Sequence, residues 1–408
     1  MQQKKKLSLA AWILIGMAAG VVVGLIFLNN PDFTTNYIKP IGTIFVNLLK
    51  FIVVPIVILS IVCGMISMKD IKKVGSIGLQ TIIYYLCTTG VAIIIGLVIA
   101  NLFKGTFPVL GAATETWEKA SSANFMDTLV GIFPSNIIAP FADANMLQVI
   151  VIALFVGIGI IVAGEKGKKA AEVFESFNEV FMIIMMYIIK LSPIGVFCMM
   201  AWVVANQGPS VLGSLAIVLL AAYIAYILHA VIVYSLAVKT IAGISPIKFF
   251  KEMIPAMIFA FSSTSSVATL PLTKECSNKL GANEEISSFV LPLGATINMD
   301  GTAIYMGVGS IFIATCYGID LTLSQMLIIV FTAILASIGT AGVSGAGMIM
   351  LAMVLTAVGI PIDGIMLIYG VDRLFDMGRT TINIVGDASC AVVVSKLQAK
   401  KEQKAVKG

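Results

Sequence analysis

Long apolar runs, each near the length of a bilayer-spanning helix, alternate along this chain with short polar joints. A helix needs about 20 mostly apolar residues to cross the hydrocarbon core of a membrane. The runs Leu7–Leu28, Pro40–Met65, Val74–Phe103, Val173–Ala205 and Val211–Val238 meet that requirement. They are expected to form helices one, two, three, five and six. Helix four is expected to end near Ala163 after a broken lead-in from Phe125. Helices seven and eight are expected over Ile286–Thr315 and Gly364–Ser395. Two other apolar stretches, 246–283 and 322–360, carry polar centres, FSSTSSVATLP and SIGTAGVSGAG, where a plain span would be most apolar.

Lysines orient the runs. Under the positive-inside rule, Lys4–Lys6 hold the N-terminus in the cytoplasm, and lysines recur after each pair of helices: Lys69, Lys72 and Lys73, then Lys166, Lys168 and Lys169, then Lys239, Lys248 and Lys251. The C-terminal tail, with Lys396, Lys400, Lys401, Lys404 and Lys407, lies on the same side. Stretch 246–283 has lysines before it (Lys248, Lys251) and after it (Lys274, Lys279), so it is expected to dip into the membrane and return. The ends of 322–360, CYGIDLTLS and VGIPIDG, lack lysine, which places its return on the opposite face. Irregular backbone at membrane depth is tolerated where it is buried in protein or lines a cavity. Each hairpin precedes a helix with a polar middle, GATINMDGTA and DMGRTTINIVGD. That order reads as an inverted repeat, the arrangement in which transporters place their binding site.

Composition agrees. The 408 residues are 59% hydrophobic and 12% charged, against about 25% charged in soluble domains. The first apolar run is longer than the ~7–15 residues of a signal-peptide core and is expected to stay as a helix. The net charge of +5 comes mostly from loop and tail lysines, a topology pattern and not a nucleic-acid surface. Six scattered cysteines include no C-x-x-C pair and suggest neither a metal site nor a disulfide framework. The single histidine, His229, sits in an apolar helix and reads as a packed or hydrogen-bonded residue. No Ser–His, Cys–His or metal-ligand set supports an enzyme. An ion channel would account for polar residues in the membrane, but not for an arginine set among carboxylates beside two hairpin tips.

Those carboxylates form a stripe. At about 100° per residue, with Asp372 at zero, Asp376 falls near 40°, Arg379 near −20°, Asn383 near 20° and Asp387 near 60°. Thr380 borders this face, while Arg373, at roughly 100°, points elsewhere. Both arginines of the chain lie here. Ionisable residues at membrane depth cost at least ~2.5–3.5 kcal/mol each and usually mark a transport path. An internal ion-pair network locking helix eight to its neighbours is the structural alternative, and for Asp372 and Arg373 both readings stand. Arg379 suits two-pronged bonding to a carboxylate, and Asp376 suits an ammonium group. Asp387 and Asp300, with carbonyls exposed around NMDGT, offer hard oxygen ligands for alkali cations. The hairpin tips offer helix N-termini to a carboxylate.

SSTSSVATLP, LPLGATINMDGTA, ASIGTAGVSGAG and DMGRTTINIVGD, with YYLCTTG in helix three, together resemble the dicarboxylate/amino acid:cation symporters, the glutamate transporter homologues, in order and spacing over nearly the whole chain. The resemblance implies an all-α integral membrane protein of eight transmembrane helices and two re-entrant helical hairpins, working as an elevator. It implies a homotrimer in the plasma membrane with both termini cytoplasmic. Residues 1–73 and 104–210 would be the trimerisation scaffold. Residues 74–103 and 211–408 would be the moving transport domain, with the second hairpin as gate.

By position, the resemblance assigns Arg379 to the substrate side-chain carboxylate and Asp376 to its amino group. Thr302, Thr380, Asn383, Ser266 and the backbone at Gly342 and Val343 complete the substrate site. One sodium would lie at Asp387 with carbonyls of Gly294, Asn298 and Asn383. A second would use carbonyls of Thr296, Ser337, Ile338 and Thr340. A third would use Tyr85, Thr88, Thr89, Asn298 and Asp300. No further cofactor is expected. Three positions depart from relatives: Ser344 where many have proline, Thr264 where some have arginine, and Met306 where animal members carry a glutamate linked to potassium. A thioether cannot titrate, so no potassium requirement is expected. Asp376 and Arg379 together favour L-aspartate or L-glutamate, and the set of sodium ligands favours sodium. Proton coupling, and sodium-coupled carriage of neutral amino acids, cystine or C4-dicarboxylates, stay open.

Overall fold

The computed structural model describes residues 9–67, 76–109, 130–131, 133–143, 145–337 and 346–407. Every regular element among them is helical. The chain begins with α1 (Leu9–Ile26), α2 (Lys39–Ser67), α3 (Ser76–Phe103) and α4 (Met146–Ala163). Asn145 caps α4 by accepting the Gln148 N–H at 3.3 Å; before it stands the one-turn helix Ala139–Ala142, while the start of the expected lead-in at Phe125 lies outside the described residues. Glycines 16, 20 and 24 form one face of α1. A Cβ on Gly16 or Gly20 would lie 2.5 Å from the carbonyl oxygen of Pro193 or Phe197, so the backbones meet closely.

The expected single helix five is two helices, α5 (Lys168–Lys190) and α6 (Ser192–Gln207). Pro193 has no N–H to continue the ladder, so it takes a first-turn position where none is needed. Apolar runs flank residues 190–193 on both sides, which is why the whole reads as one span. Helix six appears as α7 (Ser210–His229), prolonged by wider turns to Ala242 and ended by left-handed Gly243.

The first hairpin has the expected form. Its arms are α8 (Pro246–Ser263) and α9 (Ser266–Lys279). Thr264, the one non-glycine residue at positive φ among the described residues (φ 53°), closes α8, and extended Ser265 caps α9 through the Ala268 N–H at 3.2 Å. Helix seven is broken in its middle: α10 (Glu284–Ile297) stops at Asn298–Met299 and α11 (Asp300–Cys316) restarts. The second hairpin shows two arms, α12 (Leu323–Ser337) and α13 (Ala346–Ala357), while its tip falls outside the described residues. The expected helix eight is short α14 (Ile365–Tyr369), a turn at Gly370–Val371, and α15 (Asp372–Lys407), so the charged stripe begins at a helix N-terminus.

Every residue of α11 is buried, as a helix apolar on all sides requires. Around it pack α3, α7, α13 and α15, and both arms of the first hairpin lie along α15. Among the described residues four helical segments, Ser76–Thr106, Gln148–Lys190, Leu212–Ala242 and Glu284–Cys316, are long and apolar enough to cross a membrane. Ile26, Leu102, Val162 and Ile247 project from the surface, a solvent-unfavourable arrangement that lipid satisfies. The fold is that of a multi-pass membrane protein.

Candidate functional site

The stripe on α15 is buried: Asp372, Asp376, Arg379, Thr380, Asn383 and Asp387 are all shielded. Arg379 is 2% exposed. Its Nε donates to Asp376 Oδ1 at 2.9 Å and its Nη1 to Asp372 Oδ1 at 3.2 Å. The guanidinium lies 4.7 Å from the centre of the Tyr305 ring of α11, a cation–π contact. Gly347 of α13 also abuts it: a Cβ at that position would meet Nη1 and Cζ, with Nε at 3.0 Å. The second hairpin therefore supplies a wall of bare backbone to the arginine.

The angular reading of Arg373 needs correction. Its Cα does lie off the stripe, yet the long side chain curls back and Nη1 reaches Asp376 Oδ2 at 3.4 Å. Asp372 and Arg373 thus each engage another member of the stripe. This end holds two arginines and two aspartates and is balanced in formal charge.

The other end is not. Asp300 is fully buried; its Oδ1 accepts from Thr89 Oγ1 at 2.6 Å, and its Oδ2 accepts from the Tyr234 hydroxyl at 2.8 Å and lies 3.2 Å from His229 Nε2. Asp387 Oδ1 accepts from Asn298 Nδ2 at 2.9 Å, and the same amide donates to the Asn383 carbonyl at 2.9 Å. Gly294 sits against both Asp387 and the Tyr85 hydroxyl. Among the described residues neither carboxylate has a Lys or Arg partner. A buried carboxylate without a countercharge is strongly unfavourable. The buried Asn298 Oδ1 has no protein partner either, and a hard, uncoordinated oxygen beside two carboxylates suits an alkali cation.

Asn383 joins the two ends. Its Oδ1 accepts from the Gly301 N–H at 2.8 Å, at the start of α11, and its Nδ2 faces Thr302 Oγ1 at 3.5 Å. The unwinding at Asn298–Met299 is what frees these groups from helical bonding. Tyr85, Thr88 and Thr89 are buried on α3; Thr88 Oγ1 bonds the Tyr85 carbonyl at 3.2 Å, and the Tyr85 hydroxyl bonds the Val290 carbonyl at 3.1 Å. Ser266 is buried at the start of α9, beside α15. Thr296 is half-buried and bonds Leu293 O at 2.9 Å; buried Ser337 bonds Ile334 O at 2.7 Å. Ile338, Thr340, Gly342, Val343 and Ser344 lie outside the described residues. Sequence reasoning missed Tyr234 and Tyr305, and it left His229 without the carboxylate it touches. A polar residue inside an apolar helix was the available signal for His229 and Tyr234; only packing reveals which carboxylate they meet.

A helical bundle with two hairpins packed about a buried charged stripe defines a secondary carrier of small charged solutes. Residues 9–397 match the Sodium:dicarboxylate symporter family, and the chain belongs to that family. It is 35% identical to the proton/sodium-glutamate symport protein of Geobacillus stearothermophilus, over 97% of this chain and 96% of that one. It is also 35% identical to the proton/glutamate-aspartate symporter of Escherichia coli (strain K12), over 98% and 95%. Identity to the C4-dicarboxylate transport protein of Bacillus subtilis (strain 168) is 31%, over 95% and 93%.

Proposed function

We propose that this symporter takes up an acidic amino acid, L-aspartate or L-glutamate, together with sodium ions. The observation that carries the reading is the division of charge along α15. Its N-terminal part is a balanced arginine–aspartate cluster, while its later part presents Asp387, which together with Asp300 of α11 makes a pair of buried carboxylates that no lysine or arginine meets among the described residues.

Each part has a task. An entering side-chain carboxylate takes the face of Arg379 now held by Asp376, and that exchange frees Asp376 for the substrate ammonium. A substrate with both groups satisfies both partners. A C4-dicarboxylate brings no ammonium to Asp376. Thr302, Thr380, Asn383 and Ser266, with the backbone at Gly342 and Val343, complete the substrate contacts. Sodium neutralises Asp387 with the carbonyls of Gly294, Asn298 and Asn383. A further sodium serves Asp300 with Tyr85, Thr88, Thr89 and Asn298. The remaining set is Thr296, Ser337, Ile338 and Thr340. Asn383 touches both the substrate end and the ion end, so filling one orders the other.

A proton is the alternative neutraliser: the name of the Geobacillus relative includes proton and sodium, and that of the Escherichia coli relative includes the proton alone. Met306, buried where a titratable group would be needed for potassium exchange, argues against a potassium requirement. The protein works as a homotrimer in the plasma membrane with cytoplasmic termini, residues 74–103 and 211–408 moving against 1–73 and 104–210, and the second hairpin gating. The test is uptake of labelled aspartate and glutamate into proteoliposomes under an imposed sodium gradient, with a proton gradient as control. Accumulation should follow sodium. Uptake indifferent to sodium and driven by protons would replace the coupling ion, and uptake of succinate alone would replace the substrate.

A further inference from the structure

Two tyrosines on α7, Tyr223 and Tyr226, stand against α15, their rings 5.6 Å apart and edge to face. The Tyr223 hydroxyl donates to the Leu374 carbonyl at 2.8 Å. One turn further along α15, a Cβ on Gly378 would lie 2.7 Å from Tyr226 Cε2, so the Tyr226 ring lies directly on the backbone next to Arg379. Tyr223 thus has a structural explanation: its ring packs and its hydroxyl caps a carbonyl. Tyr226 does not. It is 2% exposed, its hydroxyl has no protein partner, and the charged groups around it are Arg379, Asp372 and Asp376. A phenylalanine would fill the same space without a buried polar atom, and such atoms destabilise when unpaired. Arg379 Nη2 is likewise buried and without a protein partner. With the Tyr305 hydroxyl, also buried and without a protein partner, three donors in one polar cluster lack an acceptor and fit an acceptor-only ligand group.

We propose that Tyr226 is a specificity-determining residue, whose hydroxyl donates to the substrate side-chain carboxylate alongside Arg379 Nη2. The carboxylate then receives a charged donor from α15 and a neutral one from α7. A side-chain amide or alkyl group offers the pair less, so Tyr226 sharpens discrimination for acidic over neutral side chains. The inference rests on the acidic amino acid reading above and adds a residue from a helix that no motif points to.

The test uses full-length protein in proteoliposomes, comparing unaltered chain with Tyr226→Phe for L-aspartate and L-glutamate uptake under a sodium gradient. Losing one hydrogen bond to a charged group should raise KM about tenfold and leave kcat within about twofold, since that bond serves binding. In detergent, the aspartate concentration giving half of the ligand-induced rise in Tm should move by the same factor. An unchanged KM overturns the proposal, whatever happens to the Tm of the ligand-free protein: the hydroxyl is then structural, satisfied by water or by a rotated partner. A fall in kcat at constant KM overturns it too. If the unaltered protein takes up no acidic amino acid, the substrate reading fails, and this inference fails with it.

Discussion

Arg379 is held on four sides: Asp376 and Asp372 at its nitrogens, the Tyr305 ring on one face and Gly347 against the guanidinium. Removing it by Arg379→Cys leaves two buried aspartates short of a partner and removes the two-pronged carboxylate contact. We expect KM for aspartate to rise by at least ~100-fold, consistent with loss of a buried charge-assisted pair, with neutral amino acids gaining relative to acidic ones. Unchanged aspartate affinity in uptake assays would refute the role given to Arg379. Asp387→Asn probes the opposite end. It removes one of two uncompensated carboxylates, so the sodium concentration for half-maximal uptake should rise at least about tenfold, while aspartate KM at saturating sodium changes little. Equal sodium dependence in the two proteins would remove Asp387 from the ion site. The stripe was legible in the sequence because helical angles depend on spacing alone. Its pairing was not: an arginine side chain is long enough to cancel a 100° offset, as Arg373 does in reaching Asp376.

At the scale of elements, the polar hairpin centre, the Thr264–Ser265 break and the Asn298–Met299 unwinding follow local chemistry, and the sequence marks all three with Ser, Thr, Asn and Asp in apolar surroundings. The split between α5 and α6 went unread although Lys190, Ser192 and Pro193 mark it, because the apolar runs on either side are long enough to read as one span. The α1–α6 contact was equally unread, although glycines spaced by four at 16, 20 and 24 are its signal. Gly20→Leu should force these helices apart. A loss of ~1–3 kcal/mol, the usual range for overpacking, would appear as a lower Tm in detergent, and an unchanged Tm would show that α1 shifts freely. A contrasting case is the exposed pair Lys104–Asp320, at 2.5 Å, joining the end of α3 to the turn before α12. Lys104 holds the Asp320 carboxyl below its ordinary range. Its contribution is therefore complete above the ordinary carboxylate range and disappears as pH falls through the lowered value. Being exposed, the pair is worth at most ~1 kcal/mol. Asp320→Asn should cost little Tm at pH 7 and progressively less as pH falls through the lowered carboxyl range, and a large loss at pH 7 would mean that the turn itself depends on the ion pair.

For the whole molecule, the proposed sliding of one group of helices against the other needs a boundary that breaks and reforms. One part of that boundary is visible where the turn before α15 meets α6. The Tyr369 hydroxyl bonds Ser192 Oγ at 2.5 Å, the Tyr369 ring meets Phe45 of α2 at 5.1 Å, and Gly370 faces Met200. Tyr369 and Gly370 belong to the segment expected to move, and Phe45, Ser192 and Met200 to the segment expected to stay. This part of the boundary is shared by a few side chains and not by a continuous helix, the form of a sliding contact. A Cβ on Gly370 would lie 3.4 Å from Met200 Cγ, close to where a cysteine sulfur at position 200 would sit, which is within reach of the Cβ–S–S–Cβ linkage. The pair Gly370→Cys and Met200→Cys, in a chain whose six native cysteines have been replaced, should therefore cross-link under oxidation. If the two groups must slide, quantitative cross-linking arrests aspartate accumulation and reduction restores it, while each single variant keeps transporting. Bound aspartate should still raise Tm in the cross-linked protein, because the substrate contacts lie within the moving group. Accumulation that continues at full rate with the bond closed would place the alternating step elsewhere, in the hairpins alone, and would leave this boundary as fixed packing.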